Sequence, residues 1–338
     1  MQHLEQVSSK SLTTLKVGGF VRHVLTVATP EDGELARIFI QEHDLPFVVL
    51  GEGSNVLPSD DTFEGVVVLM RIPGISFQPE GDTVRVTVGA GVMWEELVTS
   101  VADRGLWGLE NLAGIPGTVG AAPVQNIGAY GAEFSTVCTQ VSGINMHTGE
   151  RFTFATDECA FGYRDSIFKH RKELVITEVV IVLHTQSAPK LGYSDLARLS
   201  HEGVSLITPT EINSAVRAVR ALKFPDLAVQ GTAGSFFKNP IISNKRFAEL
   251  SATYGAIPSF PAKDGIKIPL AYILDHILGL KGTRVGHVSL FGNQPLVLVT
   301  DEGATAHDVD EFAQAIEKKV FDATGIKIQR EVQKVFQK

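Results

Sequence analysis

Between Ala113 and Gly131 the chain reads AGIPGTVGAAPVQNIGAYG, and no other stretch restricts its fold as much. Gly114, Gly117, Gly120, Gly128 and Gly131 have the small Ala121, Ala122 and Ala129 among the residues between them. Glycine inside a helix or strand forgoes packing and loses more backbone entropy than any other residue. This run is therefore not the interior of a regular element. It suits a place where backbone must approach a ligand closely, although an ordinary irregular loop has the same composition. Gln125 and Asn126 add amide donors and acceptors suited to the edge of a heterocycle. The core must be built elsewhere and must hold this segment in place.

The core elements are legible on both sides of it. PFVVLG and GVVVLM are short Val/Leu runs bounded by glycine, and DTVRVTVGAG alternates with Val84, Val86 and Val88 on one face. Thr29-Pro30-Glu31-Asp32 supplies an N-cap, a first-turn proline and early acids for a helix to about Asp44. Trp94, Leu97, Val98 and Val101 recur at helical spacing before Gly105. Thr208, Pro209 and Glu211 form a capping-box start. The apolar stripe of that helix is Ile212, Ala215, Val216, Val219 and Leu222, and it stops at Phe224-Pro225-Asp226. A last helix runs from about Ala306 to Thr324 with Phe312, Ile316, Val320 and Phe321 on one side. After Gly325, IKIQREVQKVF alternates as a terminal strand. At 338 residues, two or three domains are expected rather than one core.

Three further glycine loops matter. LGEGSNVL follows a strand, but Val56 stands where a dinucleotide fingerprint needs a third glycine, and PSDD blocks an immediate helix. Its freed amides, with Ser54 and Asn55, still suit a phosphate. GAGVMWEEL leads into a helix N-terminus but also lacks the third glycine. GTAGSFFKNP, Gly231 to Pro240, places Ser235 after a flexible run and before two rings. It reads either as a positioned hydroxyl or as a turn into a strand with Phe236 and Phe237 as core.

Several classes are disfavoured. The net charge is −8 with no basic run, which argues against nucleic acid. No apolar stretch approaches the ~20 residues of a membrane span, and MQHLEQVSSK lacks the apolar core of a signal peptide, so a cytoplasmic protein is expected. Cys138 and Cys159 have no metal spacing and read as small core residues. The ten histidines show no ligating motif, so no metal is expected.

In order along the chain stand LGEGSNVL, AGIPGTVGAAPVQNIGAYG, FGYRDSIFK, GSFFKNP and a terminal REV. Together they closely resemble the UDP-N-acetylenolpyruvoylglucosamine reductase family, in the long-form branch with a substrate-loop tyrosine. The resemblance implies an α+β fold: a two-lobed FAD-binding unit of the vanillyl-alcohol-oxidase (PCMH) type and a C-terminal α+β substrate domain. The expected boundaries are 1–72 for the first lobe, joined by 334–338, then 73–224 for the second lobe and 225–333 for the substrate domain. It implies non-covalent FAD with NADPH as co-substrate, small-molecule partners only, and a monomer.

The resemblance also assigns residues. FAD contacts fall at Gly51, Gly53, Ser54, Asn55, Gly114, Ile115, Pro116, Gly117, Gly120, Ala121, Gln125, Asn126 and Gly128. Substrate contacts fall at Tyr163, Tyr193, Lys223, Asn239 and Gln294. Hydride passes from the flavin to C3 of the enolpyruvyl group, and the charge left at C2 runs into the carboxylate. Arg164 suits stabilisation of that charge, Glu331 suits donation or a hydrogen bond to the enolate, and Ser235 matches the proton donor to C2. A serine is a weak acid, but an enolate carbon is a strong base, so placement matters more than acidity. Where the family often ends EVR, this chain has Gln333, so Lys327, Arg330 or Lys334 is expected to supply the charge. Another FAD oxidase on the same scaffold, or a catalytically silent sugar-nucleotide binder, are the alternatives.

Overall fold

The computed structural model describes residues 1–337. It divides into two compact units. Unit 1 comprises Met1–Val7, Val21–Glu52 and Glu64–Ala221; unit 2 comprises Ser8–Phe20, Gly53–Phe63 and the chain from Leu222 onward.

Unit 1 holds two larger sheets, besides a two-stranded one that pairs Gly128–Ala129 with Ala132–Glu133. The first contains β1 (Gln2–Ser8), β2 (Phe20–Val27), β3 (Phe47–Leu50) and β4 (Phe63–Met70), in the order β1-β2-β4-β3 with β3 and β4 parallel. Helix α1 (Pro30–Glu42) links β2 to β3, and its capping box joins Thr29 and Asp32. The second sheet contains β5 (Ile75–Glu80), β6 (Thr83–Gly89), β7 (Cys138–Asn145), β8 (Arg151–Ala155) and β9 (Leu174–His184). Its order is β8-β7-β9-β6-β5, antiparallel throughout.

The alternation of β6 puts Val84, Val86 and Val88 into the core as expected. Helix α2 (Trp94–Ala102) buries Trp94, Leu97, Val98 and Val101, and Trp94 Nε1 donates to Leu112 O at 2.9 Å. Two later helices are α3 (Ser194–His201) and α4 (Pro209–Lys223). The α4 cap is the expected box: Glu211 N donates to Thr208 Oγ1 at 3.2 Å, and Thr208 N to Glu211 Oε2 at 3.0 Å. Helix α4 lies against α2, with Asn213 Nδ2 donating to Val98 O and Arg217 Nη2 to Thr99 Oγ1. Leu222, expected in its apolar stripe, is 68% exposed. It sits in the last turn, beyond the residues that pack.

Unit 2 has an antiparallel sheet of β10 (Gly231–Ser235), β11 (Arg284–Val285), β12 (Val288–Phe291) and β13 (Gln294–Thr300), ordered β10-β13-β12-β11. Helix α5 (Ala306–Thr324) lines its core with Phe312, Ile316 and Val320. Phe321, expected on the same side, is 44% exposed, because consecutive residues diverge by about 100° round a helix. The terminal segment is also corrected. Only Gln333–Lys334 forms a strand, parallel to Val56–Leu57. Burial still alternates at Ile326, Val332 and Phe336. However, the amides go to different partners: Glu331 N to Phe236 O, Gln333 N to Asn55 O and Val335 N to Leu57 O. The segment changes neighbours before a long strand can form.

Both cysteines are free and buried in unit 1. Burial pushes each thiol up to about 12. A neutral thiol is a poor nucleophile, so the native protein should resist iodoacetamide at about pH 8.5, near an ordinary thiol pKa. Both residues should label after unfolding, as read by mass spectrometry; rapid native labelling would contradict the assigned burial. Because the folded pKa values are raised, the native state keeps protons that the unfolded chain sheds. This pair therefore costs stability as pH rises from about 9 toward 12.

Candidate active site

In unit 1 Gly51 and Glu52 of LGEGSNVL meet the run from Ala113 to Gly131. A Cβ on Gly51 would lie 2.4 Å from Thr118 Oγ1, and one on Gly120 would lie 2.6 Å from Ala90 Cβ. Gly117 N donates to Glu52 Oε2 at 2.7 Å, and Gly114 N to Glu95 Oε2 at 2.6 Å. Both amides are thus held by the protein's own carboxylates, which fix the loop backbone. Of the other residues expected there, Ile115 packs against the unit-1 core and Ala121 is half-buried. Gly89 and Gly91, in the second loop, are explained by packing: a Cβ on either would meet the backbone of Arg71, Ile72 or Pro73 within 2.5 Å.

The loop from Gly114 to Gly131 is tied to the FGYRDS segment. Asn126 Nδ2 donates to Gly162 O at 3.1 Å, and Ser166 Oγ donates to Val124 O at 2.8 Å. Asn126 is buried, with φ of +44°; it also bonds Glu133 Oε2 and accepts from Ser135 N. Its amide is engaged within the chain. Arg164 occupies the left-handed region at φ +55°, an uncommon conformation for a side chain of this size. Its guanidinium donates to Gly128 O and lies 5.5 Å from the centre of the Tyr163 ring. A Cβ at Gly128 would come within 2.9 Å of Arg164 Nη1, so a larger residue there would displace the guanidinium.

Sequence reasoning missed Arg220. Its Nε donates to Gly114 O at 2.9 Å, and it hydrogen-bonds Tyr130, whose hydroxyl burial pushes up to about 12. Burial lowers the arginine's own pKa, opposed by Tyr130 and Glu95. The available signal was a cation four residues after Val216, on the inward face of α4. Tyr130 also meets Tyr193 edge-on at 5.1 Å. Tyr193 stands at the N-cap of α3 and is 43% exposed.

In unit 2 Ser235 ends β10, half-buried. The strand is irregular between Thr232 and Ser235, and Gly234 has φ +74°. An extra residue of this kind re-aims the side chain that follows. The expected turn is thus a bulged strand. Phe236 and Phe237 are each 1% exposed, as the core reading expected. Glu331 N donates to Phe236 O at 2.9 Å, which brings Glu331 beside the Ser235 segment.

Asn55 is brought to the same place, with Nδ2 at 3.4 Å from Glu331 O. Gly53 has φ +62°, and a Cβ there would lie 2.2 Å from Leu12 O, so only glycine fits. Ser54 follows it, half-buried. Asn239 Oδ1 accepts from Leu270 N at 2.9 Å, Gln294 begins β13, and Lys223 ends α4 half-buried. Arg330 pairs with Asp310 and Glu317, Lys334 pairs with Asp310, and Lys327 Nζ lies 5.9 Å from the centre of the Phe321 ring, so all three cations expected to replace the family arginine are engaged with α5.

The glycine loops stand on an α+β frame without a full dinucleotide fingerprint, and the sequence over that frame is that of an FAD-binding oxidoreductase. A model of the FAD binding domain matches residues 21–152, and one of the UDP-N-acetylenolpyruvoylglucosamine reductase C-terminal domain matches residues 226–335. The reductase of that name from Pasteurella multocida is 43% identical over 295 residues, covering 86% of this chain and 85% of that protein. The one from Escherichia coli K12 is 40% identical over 328 residues, covering 96% and 94%. A crystal structure of the enzyme from Thermus caldophilus aligns with a TM-score of 0.66 at 26% identity, covering 98% of each chain. The chain belongs to the UDP-N-acetylenolpyruvoylglucosamine reductase family, flavoenzymes of peptidoglycan precursor synthesis. Among the described residues, no helix is long and apolar enough to cross a membrane.

Proposed function

We propose that the chain reduces UDP-N-acetyl-3-O-(1-carboxyvinyl)-glucosamine to UDP-N-acetylmuramate in the cytoplasm, with NADPH as the source of electrons. Bound non-covalently, FAD supplies the hydride that adds to C3. Arg164 meets the charge that then develops on the substrate carboxylate; its guanidinium stays charged at any physiological pH. Ser235 gives its hydroxyl proton to C2, which completes the C–H bond and leaves an alkoxide to be reprotonated. Glu331 holds the enolate oxygen through a hydrogen bond. Tyr163, Tyr193, Lys223, Asn239 and Gln294 bind the sugar nucleotide. Gly51, Gly53 and the loop from Gly114 to Gly128 hold the flavin through backbone. Asn126 serves that loop by fixing the turn that carries Arg164.

The observation that carries this reading is the bond from Glu331 N to Phe236 O. It sets a carboxyl-bearing segment from the far end of the chain against the Ser235 segment, which a bulge in β10 shapes. The domain division at 72, 224 and 333 is proposed with it, the lobes serving the flavin and the last part the sugar nucleotide.

The test is steady-state NADPH consumption with the enolpyruvyl substrate, with product identified by mass spectrometry. Turnover should require the substrate, and excess of either ligand should inhibit, since both are proposed to take turns in one place. Colour left in the pellet after acid precipitation would instead mark covalent flavin and an oxidase. Absence of turnover with FAD bound would favour a silent binder.

A further inference from the structure

The first sheet of unit 1 carries a cluster that the reductase reading does not use. His3 and Glu5 lie two residues apart on β1 and so share a face. His23 lies on β2, the neighbouring strand. His3 Nε2 is 3.1 Å from His23 Nδ1. Glu5 Oε1 is 3.9 Å from the first nitrogen and 3.6 Å from the second. Donors at about 2.0–2.1 Å from a tetrahedral zinc ion are roughly 3.3 Å from one another. The three atoms therefore form a triangle close to one face of such a tetrahedron.

The rings are held in this attitude by packing. Phe39, from α1, meets His3 edge-on at 5.0 Å and His23 edge-on at 5.4 Å. Phe39 in turn lies 4.5 Å from the His43 ring. A hydrogen bond between two imidazoles accounts for the nitrogens alone. It leaves unexplained a carboxylate oxygen at similar distance from both. The other close histidine–carboxylate pairs, His170–Asp165 and His307–Glu311, contain one imidazole each. Among the described residues, His3, Glu5 and His23 are the group with three ligating atoms within 4.8 Å of one another.

We propose that His3, His23 and Glu5 bind one divalent transition metal ion, with the fourth position open to water. Two imidazoles and a carboxylate suit zinc or copper rather than calcium or magnesium. All three ligands are on β1 and β2, and β1 is the edge of its sheet. The ion acts as a staple that fastens the edge strand to its neighbour.

The test uses untagged holoenzyme titrated with zinc by calorimetry, with metal content measured after dialysis. One equivalent should bind. His3→Ala and His23→Ala should each weaken binding by at least about tenfold. Glu5→Gln should weaken it less, and His307→Ala should leave it unchanged. Equal FAD content in all variants confirms that each is folded. Hydrogen exchange of the β1 amides should slow when zinc is added to the parent protein and not to the double histidine variant. No bound equivalent in the parent protein, or one that survives His3→Ala/His23→Ala, would overturn the proposal.

Discussion

Ser235→Ala should leave reduction of the bound flavin by NADPH nearly unchanged and slow its reoxidation by the enolpyruvyl substrate by about 10²–10⁴-fold, the contribution of a positioned general acid. Flavin reduction requires no proton at a substrate carbon, so the hydroxyl is idle in that half. The loss is confined to the step that forms the C2–H bond. Ser235→Cys should retain more activity than the alanine variant, since a thiol places a transferable proton nearly where the hydroxyl was. Deuterium delivered by the flavin should also appear at C3 of recovered substrate in the alanine variant, because hydride transfer without protonation reverses. Rapid-mixing absorbance separates the two halves. If Ser235→Ala reoxidises its flavin at the parent rate, the bulge at Gly234 serves the strand alone and Ser235 is not the donor.

Arg164→Met should lower turnover by about 10²–10³-fold, the range for loss of one preorganised charge-stabilising donor. Arg164→Lys should recover little. The guanidinium donates to the Gly128 carbonyl and presents its donors in a planar fork that matches a carboxylate; an ammonium is a compact charge without that geometry. A second variant separates loss of charge from loss of fold. Gly128→Ala would set a Cβ within 2.9 Å of Arg164 Nη1 and displace the guanidinium without removing it. It should reproduce part of the defect while FAD content and thermal midpoint stay close to the parent's. Full turnover in Arg164→Met would remove the arginine from the mechanism, and full turnover in Gly128→Ala would mean that its position is set elsewhere.

Much of this protein was legible before any fold was known. The capping boxes at Thr29 and Thr208, the alternation of Val84, Val86 and Val88, and the buried stripe of α2 are short-range patterns. Their physics involves residues a few positions apart, so one dimension contains it. The glycine run from Gly114 also announced itself, because no core element tolerates such a composition. The ordered motifs identified the family for a related reason: each keeps its chemistry within a few consecutive residues.

What the sequence could not determine was which distant segments share a neighbourhood. Asn126 reads as a free amide in the sequence, but in the fold it bonds Gly162, Glu133 and Ser135. Arg220 is an ordinary helical cation until Gly114 and Tyr130 close on it. Leu222 and Phe321 fit their apolar stripes by spacing, yet both are exposed, since a helix buries only the arc its neighbours cover. The terminal alternation promised a strand, but pairing needs a continuous partner edge, and this segment passes from Phe236 to Asn55 to Leu57. His3, Glu5 and His23 have no ligating spacing in the chain; β1 and β2 must pair before they form a cluster. Local periodicity and motif chemistry belong to the sequence because they act across a few bonds. The partners of Arg164, Ser235 and Glu331 belong to the tertiary structure, because they are fixed by chain closures that no local pattern encodes.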